Sequence, residues 1–188
     1  MNTKHEHYKE LIKEKLGKKR YTHSINVAEM CKKLSAKYNC NSDKAYTAGL
    51  LHDIAKELPR DEMYMLVRDS SLAADEIEMQ TPPLWHAIAG AAYARDELKI
   101  TDTDIINSIR FHTVARAGMS LLEKIVYISD KISSERDYNG VEELHELAFS
   151  NLDLCLLTAI KTLKQGMEMP AYTKEAYDYY NKENHNDR

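Results

Sequence analysis

Apolar positions recur along this chain at intervals of three and four residues, and no stretch alternates as a half-buried strand would. The pattern predicts an all-α fold. Tyr8, Leu11, Ile12 and Leu16 mark a short first helix, with Gly17 as its stop. A second helix begins at Thr22 or Ser24 and runs to Tyr38, where Asn39-Cys40-Asn41 breaks it. Ser42 reads as the N-cap of a third helix that continues to Glu57 and is ended by Pro59. Residues 60–68 form a short helix with Met63, Leu66 and Val67 inward, and Asp69-Ser70-Ser71 reads as a turn. Pro82-Pro83 opens a helix that reaches Leu98. Thr101 with Asp104 resembles a capping box before a helix carrying Ile105, Ile109 and His112 inward. Ser120 with Glu123 forms a fuller box before Leu121–Ile132. Val141–Phe149 and Leu152–Met167 close the core, and Pro170 breaks the chain. A polar, Tyr-rich helix or tail follows, frayed from Asn181 onward.

Composition narrows the class. With 188 residues, 43% hydrophobic and 30% charged, the chain reads as one soluble domain spanning 1–188 that needs no disulfide or zinc staple. Its motif-bearing core covers 20–135, with C-terminal helices over 141–180 and a tail at 181–188. A net charge of −4 argues against a nucleic-acid partner, and the short basic run Lys18-Lys19-Arg20 is slender support for one. No segment approaches the ~18 apolar residues of a membrane span, and Met1–Gly17 has no apolar signal core. Cys31, Cys40 and Cys155 are odd in number and share no short spacing, which fits a reducing cytoplasm rather than a disulfide framework. Self-association is left open.

The candidate chemistry lies in the histidines. Of eight, His5, His7, His145 and His185 fall on polar stretches and read as solvated. The other four point inward from separate helices. His23 shares a face with Val27, Met30 and Leu34, and His52 with Ala45, Ala48 and Gly49. His86 lies with Ala89, Gly90 and Tyr93, and His112 with Ile105 and Ile109. Two carboxylates join them: Asp53 directly after His52, and Asp130 on the face of Leu122 and Val126. One inward histidine is ordinary in a core, but four imidazoles and two carboxylates buried unpaired would be costly. A shared cation resolves the cost. Neighbouring helix residues point about 100° apart, so His52 and Asp53 are expected to grip an ion from two sides rather than lie together. Donors of imidazole and carboxylate without thiolate suit iron, manganese or cobalt, and zinc as well. Six such groups can hold two ions that share a carboxylate.

The order His23, His52-Asp53, Asp130 resembles the signature of the HD-domain metal-dependent phosphohydrolases. Arg20-Tyr21-Thr22-His23-Ser24 and Ala48-Gly49-Leu50-Leu51-His52-Asp53-Ile54-Ala55-Lys56 are similar to segments of the YqeK-like bacterial members, the symmetrical bis(5'-nucleosyl)-tetraphosphatases. Arg116–Lys124 and Gly140–Leu144 also fit. The chain departs from that pattern at Val114 and Ala115, where the family carries Thr and Gly. It departs again after Asp130, where Lys131-Ile132-Ser133-Ser134-Glu135-Arg136 stands for Y-I-E-P-x-R and keeps the Arg.

The resemblance implies an all-α HD-type bundle with a metal site in its core and an iron-type centre of one or two ions. It implies hydrolysis of diadenosine tetraphosphate to two ADP, by attack of a metal-activated water on an inner phosphate. His23, His52, Asp53 and Asp130 carry over as primary ligands. His86 and His112 either complete a second metal position or contact the bound phosphates. Asp53 and Lys56 form the catalytic pair in this reading, with Lys56 neutralising phosphate charge. Arg136, Arg20 and, more weakly, Arg116 are candidates for the rest of the polyphosphate, because a guanidinium fork binds two oxygens at once. Thr113 either bonds a phosphate or caps its helix. Tyr172 and Tyr177 suit the edge of the core better than a base-stacking role, and Ser120 reads as a cap rather than a nucleophile. Alternatives of other kinds are an HD hydrolase of a mononucleotide, deoxynucleotide or guanine alarmone, and a nucleotide-sensing module without turnover.

Overall fold

The computed structural model describes residues 3–163 and 169–186, and every regular element among them is helical. In chain order these are α1 (Thr3–Lys15), α2 (Lys18–Lys37), α3 (Ser42–Leu51), α4 (Arg60–Asp69) and α5 (Glu76–Gln80). A 3-10 turn at Pro82–Leu84 leads into α6 (Trp85–Asp96), followed by α7 (Thr103–Arg110) and α8 (Leu121–Ile132). The C-terminal elements are α9 (Val141–Ser150), α10 (Leu152–Leu163) and α11 (Ala171–Asn186).

α8 is the hub. Leu122, Ile125, Val126, Tyr127 and Ile128 are all buried on it, so neighbours cover it on every side, and α2, α3, α7, α9 and α10 pack against it. The most extensive pairing is α2 on α3, and Gly49 explains it. A Cβ at Gly49 would lie 2.7 Å from the Cα of Ala28, so the two backbones touch where any larger residue would part them. That approach sets His23 of α2 against His52 at the end of α3.

Several boundaries differ from the expectations, each for a local reason. α2 begins earlier, at Lys18, with the backbone of Gly17 at the cap position. The cap of α3 is Asn41, whose side chain accepts from the N–H groups of Asp43 and Lys44, rather than Ser42. Asp102, not Thr101, caps α7. The Ser120–Glu123 capping box is present in both directions. α5, capped by Asp75 and Glu78, escapes the periodic reading because it is five residues long. α11 is helical from Ala171 to Asn186, and Tyr180 ties it to the bundle, buried and with its hydroxyl accepting from the Met119 N–H at 2.8 Å. The expected end of the preceding helix at Met167 lies outside the described residues.

The most consequential difference concerns α3. It stops at Leu51, and residues 52–57 form successive turns instead of continuing to Glu57. α7 likewise stops at Arg110, two residues before His112. Functional side chains therefore stand at helix ends, where the backbone can re-aim them.

Candidate metal centre

His23, His52, His86 and His112 are all buried, and they meet. His52 Nδ1 lies 2.7 Å from the Gly49 carbonyl, His86 Nδ1 2.8 Å from that of Pro83, and His112 Nδ1 2.7 Å from that of Ile109. A carbonyl only accepts, so each Nδ1 carries a proton, and Nε2 is the nitrogen each ring has left for a metal. His23 follows the same rule with another partner, since its Nδ1 donates to the Glu135 carboxylate. The Nε2 atoms face one another: His23 and His52 Nε2 are 3.3 Å apart, and His86 and His112 Nε2 are 3.1 Å apart. Nitrogens so placed, each also facing a carboxylate, suit a proton or a metal cation between or beside them.

The carboxylates complete the donor set. Asp130 Oδ1 is 3.0 Å from His23 Nε2 and 3.9 Å from His52 Nε2. Asp53 faces both pairs: Oδ2 lies 3.4 Å from His52 Nε2, and Oδ1 lies 3.2 Å from His86 Nε2 and 3.6 Å from His112 Nε2. His52 keeps a helical backbone, yet its Nε2 and Asp53 Oδ2 come close enough to serve one centre. Donor atoms of His23, His52 and Asp130 lie within 4.8 Å of one another, as do those of His52, Asp53 and His112. The six residues fit a metal by geometry and by donor chemistry.

Protonation follows the same logic. Burial pushes His112 down to about 4 and lowers His86, so both rings stay neutral at pH 7. Burial also works against the carboxylate forms of Asp53 and Asp130. The imidazoles around Asp53, and Lys131 and His23 beside Asp130, outweigh it and hold both well below the usual carboxylate range. For His52, burial is likewise outweighed, here by Asp53 and Asp130, and its pKa rises.

Cations ring the cluster. Arg20 Nη1 is 2.6 Å from Asp53 Oδ2, and Arg136 Nη2 is 2.6 Å from Asp130 Oδ1. Lys56 Nζ lies 3.2 Å from both ring nitrogens of His86, against the ring rather than along one lone pair, and burial lowers its pKa. Lys131 Nζ is 3.0 Å from Asp130 Oδ2. Of the expected site residues, the six donors, Lys56, Arg20 and Arg136 are thus brought together. Thr113 follows His112 with its hydroxyl buried and without a hydrogen-bond partner among the described residues, so it does not cap a helix. Arg116 is not at the centre, because a bidentate pair with buried Glu123 holds it, at 2.7 and 3.1 Å. Tyr172 packs on Phe111 at 5.5 Å, at the edge of the core as expected. His5 is not simply solvated: its Nε2 lies 3.2 Å from Thr47 Oγ1 and 3.3 Å from Asp43.

Sequence reasoning missed Lys131, Glu135, Asn26 and Ser133. Glu135 accepts from Asn26 Nδ2 at 2.7 Å and Ser133 Oγ at 2.8 Å as well as from His23. The one available signal was position, since Asn26 lies one turn after His23 and Glu135 five residues after Asp130. Ala115 holds φ 41°, the left-handed region, at the position where the resembled family carries Gly.

Comparison with known proteins agrees with this geometry. Residues 20–135 match the HD domain model, a stretch that contains all six donors. The chain is 36% identical over 150 residues to a Bacillus subtilis protein named bis(5'-nucleosyl)-tetraphosphatase, symmetrical, covering 80% of each. A Staphylococcus aureus protein of the same name is 32% identical over 180 residues, 92% of each chain. A crystal structure from Clostridium acetobutylicum, described as a "predicted HD superfamily hydrolase involved in NAD metabolism", superposes with a TM-score of 0.89 at 33% identity. It covers 95% of this chain and 97% of that one. With its donors inside the matched stretch and its helices arranged as in a solved member, the chain belongs to the HD-domain family.

Proposed function

We propose that this protein hydrolyses dinucleoside tetraphosphates at the central anhydride, releasing two nucleoside diphosphates, with diadenosine tetraphosphate giving two ADP. The observation that carries this reading is the convergence of four imidazole Nε2 atoms and two carboxylates. It occurs in a chain similar over most of its length to proteins named as symmetrical tetraphosphatases.

The ring of a histidine offers one lone pair, so His52 serves one ion only. His23, His52 and Asp130 would hold one position, and His86 with His112 the other. Asp53 stands between, one oxygen toward each pair. Iron is the metal the resemblance favours, and the donors also suit manganese, cobalt or zinc. Ions held there would lower the pKa of a bound water toward about 7 and would neutralise phosphate charge.

The residues around the donors supply the rest. Arg20, Lys131 and Arg136, now paired with Asp53 and Asp130, stand beside those carboxylates and bind the non-bridging oxygens of the polyphosphate. Lys56, beside His86, neutralises charge at the phosphate under attack. Thr113 offers its unpartnered hydroxyl to a phosphate oxygen. Hydrolysis breaks the bond between an inner phosphorus and its bridging oxygen. The water oxygen stays on one diphosphate, and the bridging oxygen leaves with the other. The substrate and the reduced cysteines fit a cytoplasmic enzyme, and no helix among the described residues is long and apolar enough to cross a membrane.

The test uses protein purified anaerobically with iron, and with manganese or cobalt in parallel, incubated with diadenosine tetraphosphate. Products are separated by ion exchange, with a chelator control. ADP as the only product, lost on chelation, is expected. ATP with AMP would overturn the bond assignment, and absence of product in every metal would favour another nucleotide or the sensing module.

A further inference from the structure

Three of the four histidines at the centre are oriented in one way and the fourth in another. His52, His86 and His112 each donate Nδ1–H to a main-chain carbonyl three residues earlier, on Gly49, Pro83 and Ile109. His23 alone donates to a carboxylate, that of Glu135, from an element 112 residues away in sequence. The carboxylate is held in turn, with Asn26 Nδ2 at 2.7 Å from Oε2 and Ser133 Oγ at 2.8 Å from Oε1. A hydrogen bond to an ionised acceptor is roughly twice as strong as one to a neutral carbonyl, and it pushes electron density through the ring to Nε2. His23 is therefore the most strongly donating imidazole of the four.

The neighbouring residue acts on the same position. Arg136 bonds the Asp130 carboxylate at 2.6 Å and the Asp130 carbonyl at 2.8 Å. The turn after α8, closed by the Arg136 N–H to the Ser133 carbonyl at 2.8 Å, thus carries two consecutive side chains that grip two of the donors, His23 and Asp130, at one metal position. His86 and His112 have no charged acceptor at Nδ1.

We propose that Glu135 is a positioning residue that tightens one of the two metal positions, so that the one holding His23, His52 and Asp130 binds its ion more tightly than the one holding His86 and His112, with Asp53 facing both. The proposal rests on the metal reading of the centre. A plain ion pair at the rim would leave the affinity of that position independent of Glu135.

Mn2+ titration into metal-free protein, followed by the electron paramagnetic resonance of the free ion, tests this without any turnover. The wild-type protein should bind in two classes of unequal affinity. In Glu135→Gln the tighter class should weaken by roughly 10–100-fold, the range for loss of a partner behind a ligating histidine, while the weaker class is unchanged. That weaker class is an internal control for folding. Asn26→Ala, which frees one oxygen of Glu135, should shift the same class in the same direction by less. Two unaltered classes in both variants would overturn the role of Glu135 and leave the metal reading standing. No Mn2+ bound by the wild-type protein would overturn the metal reading, and this proposal with it.

Discussion

Asp53 is the residue on which most of the chemistry converges, because its two oxygens face different histidine pairs. Replacing it with Ala removes a donor from both positions at once. Asp53→Ala should lower turnover by roughly 10²–10⁴-fold, as for loss of a principal catalytic group, and metal analysis should show reduced content. Normal turnover would contradict the role. The histidines make a second expectation, about pH. Burial sets His112 at about 4 against 6.5 for the free side chain, and lowers His86 in the same direction. The unfolded chain protonates these two before the folded one does, so the metal-free protein loses stability as pH falls from about 6.5 toward 4. His52, raised, acts with the opposite sign and offsets part of this. The urea midpoint of metal-free protein should therefore fall between pH 7.5 and pH 5, and a midpoint that held or rose would contradict the assignment.

At the scale of elements, two contacts carry testable weight. The first is the crossing of α2 and α3 at Gly49, where a Cβ would meet Ala28 Cα at 2.7 Å and Cys31 Sγ at 3.0 Å. Gly49→Ala should cost about 1–3 kcal/mol in denaturant unfolding and weaken metal binding too, because it spreads His23 from His52. The second is the buried pair of Arg110 and Glu78, at 2.8 Å through both oxygens, with Arg110 also bonding the Ala73 carbonyl. Together they fasten the segment around α5 to the end of α7. Arg110→Met alone should cost about 3–5 kcal/mol, because it strands the Glu78 carboxylate. Paired with Glu78→Leu, much of that loss should return. Of these elements, the long amphipathic ones and the inward histidines were legible in the sequence, since a stripe at three and four residues is what burial on one face produces. The ends were not. Nothing in the local pattern of 42–57 stops α3 at Leu51, as Ala48 to Ala55 are apolar or small apart from His52 and Asp53. Residues 52–57 pass instead into turns that carry His52 and Asp53. Lys131, in the last turn of α8, and Glu135, in the turn after it, were hidden because charged residues at a helix end ordinarily face water. Only the fold brings Glu135 to His23, 112 residues away.

On the scale of the whole molecule, the donors come from α2, the end of α3, α6, the end of α7 and α8, so metal binding ties together elements spread over more than half the chain. Binding to the folded state alone stabilises it by about 2.7 kcal/mol when free metal is 100 times the dissociation constant. Chelation should therefore lower the melting temperature by roughly 5–10 °C for a chain of this size, and re-addition of Mn2+ should restore it. An unshifted melting curve would mean that the helices hold together without the centre. The most direct test of a two-ion centre is a crystal of the metal-loaded, hydrolytically active protein examined by anomalous scattering at the metal edge. Two peaks should flank Asp53, one among His23, His52 and Asp130 and the other against His86 and His112. A single peak would reassign His86 and His112 to the phosphates, and no peak within the cluster would contradict the metal centre itself.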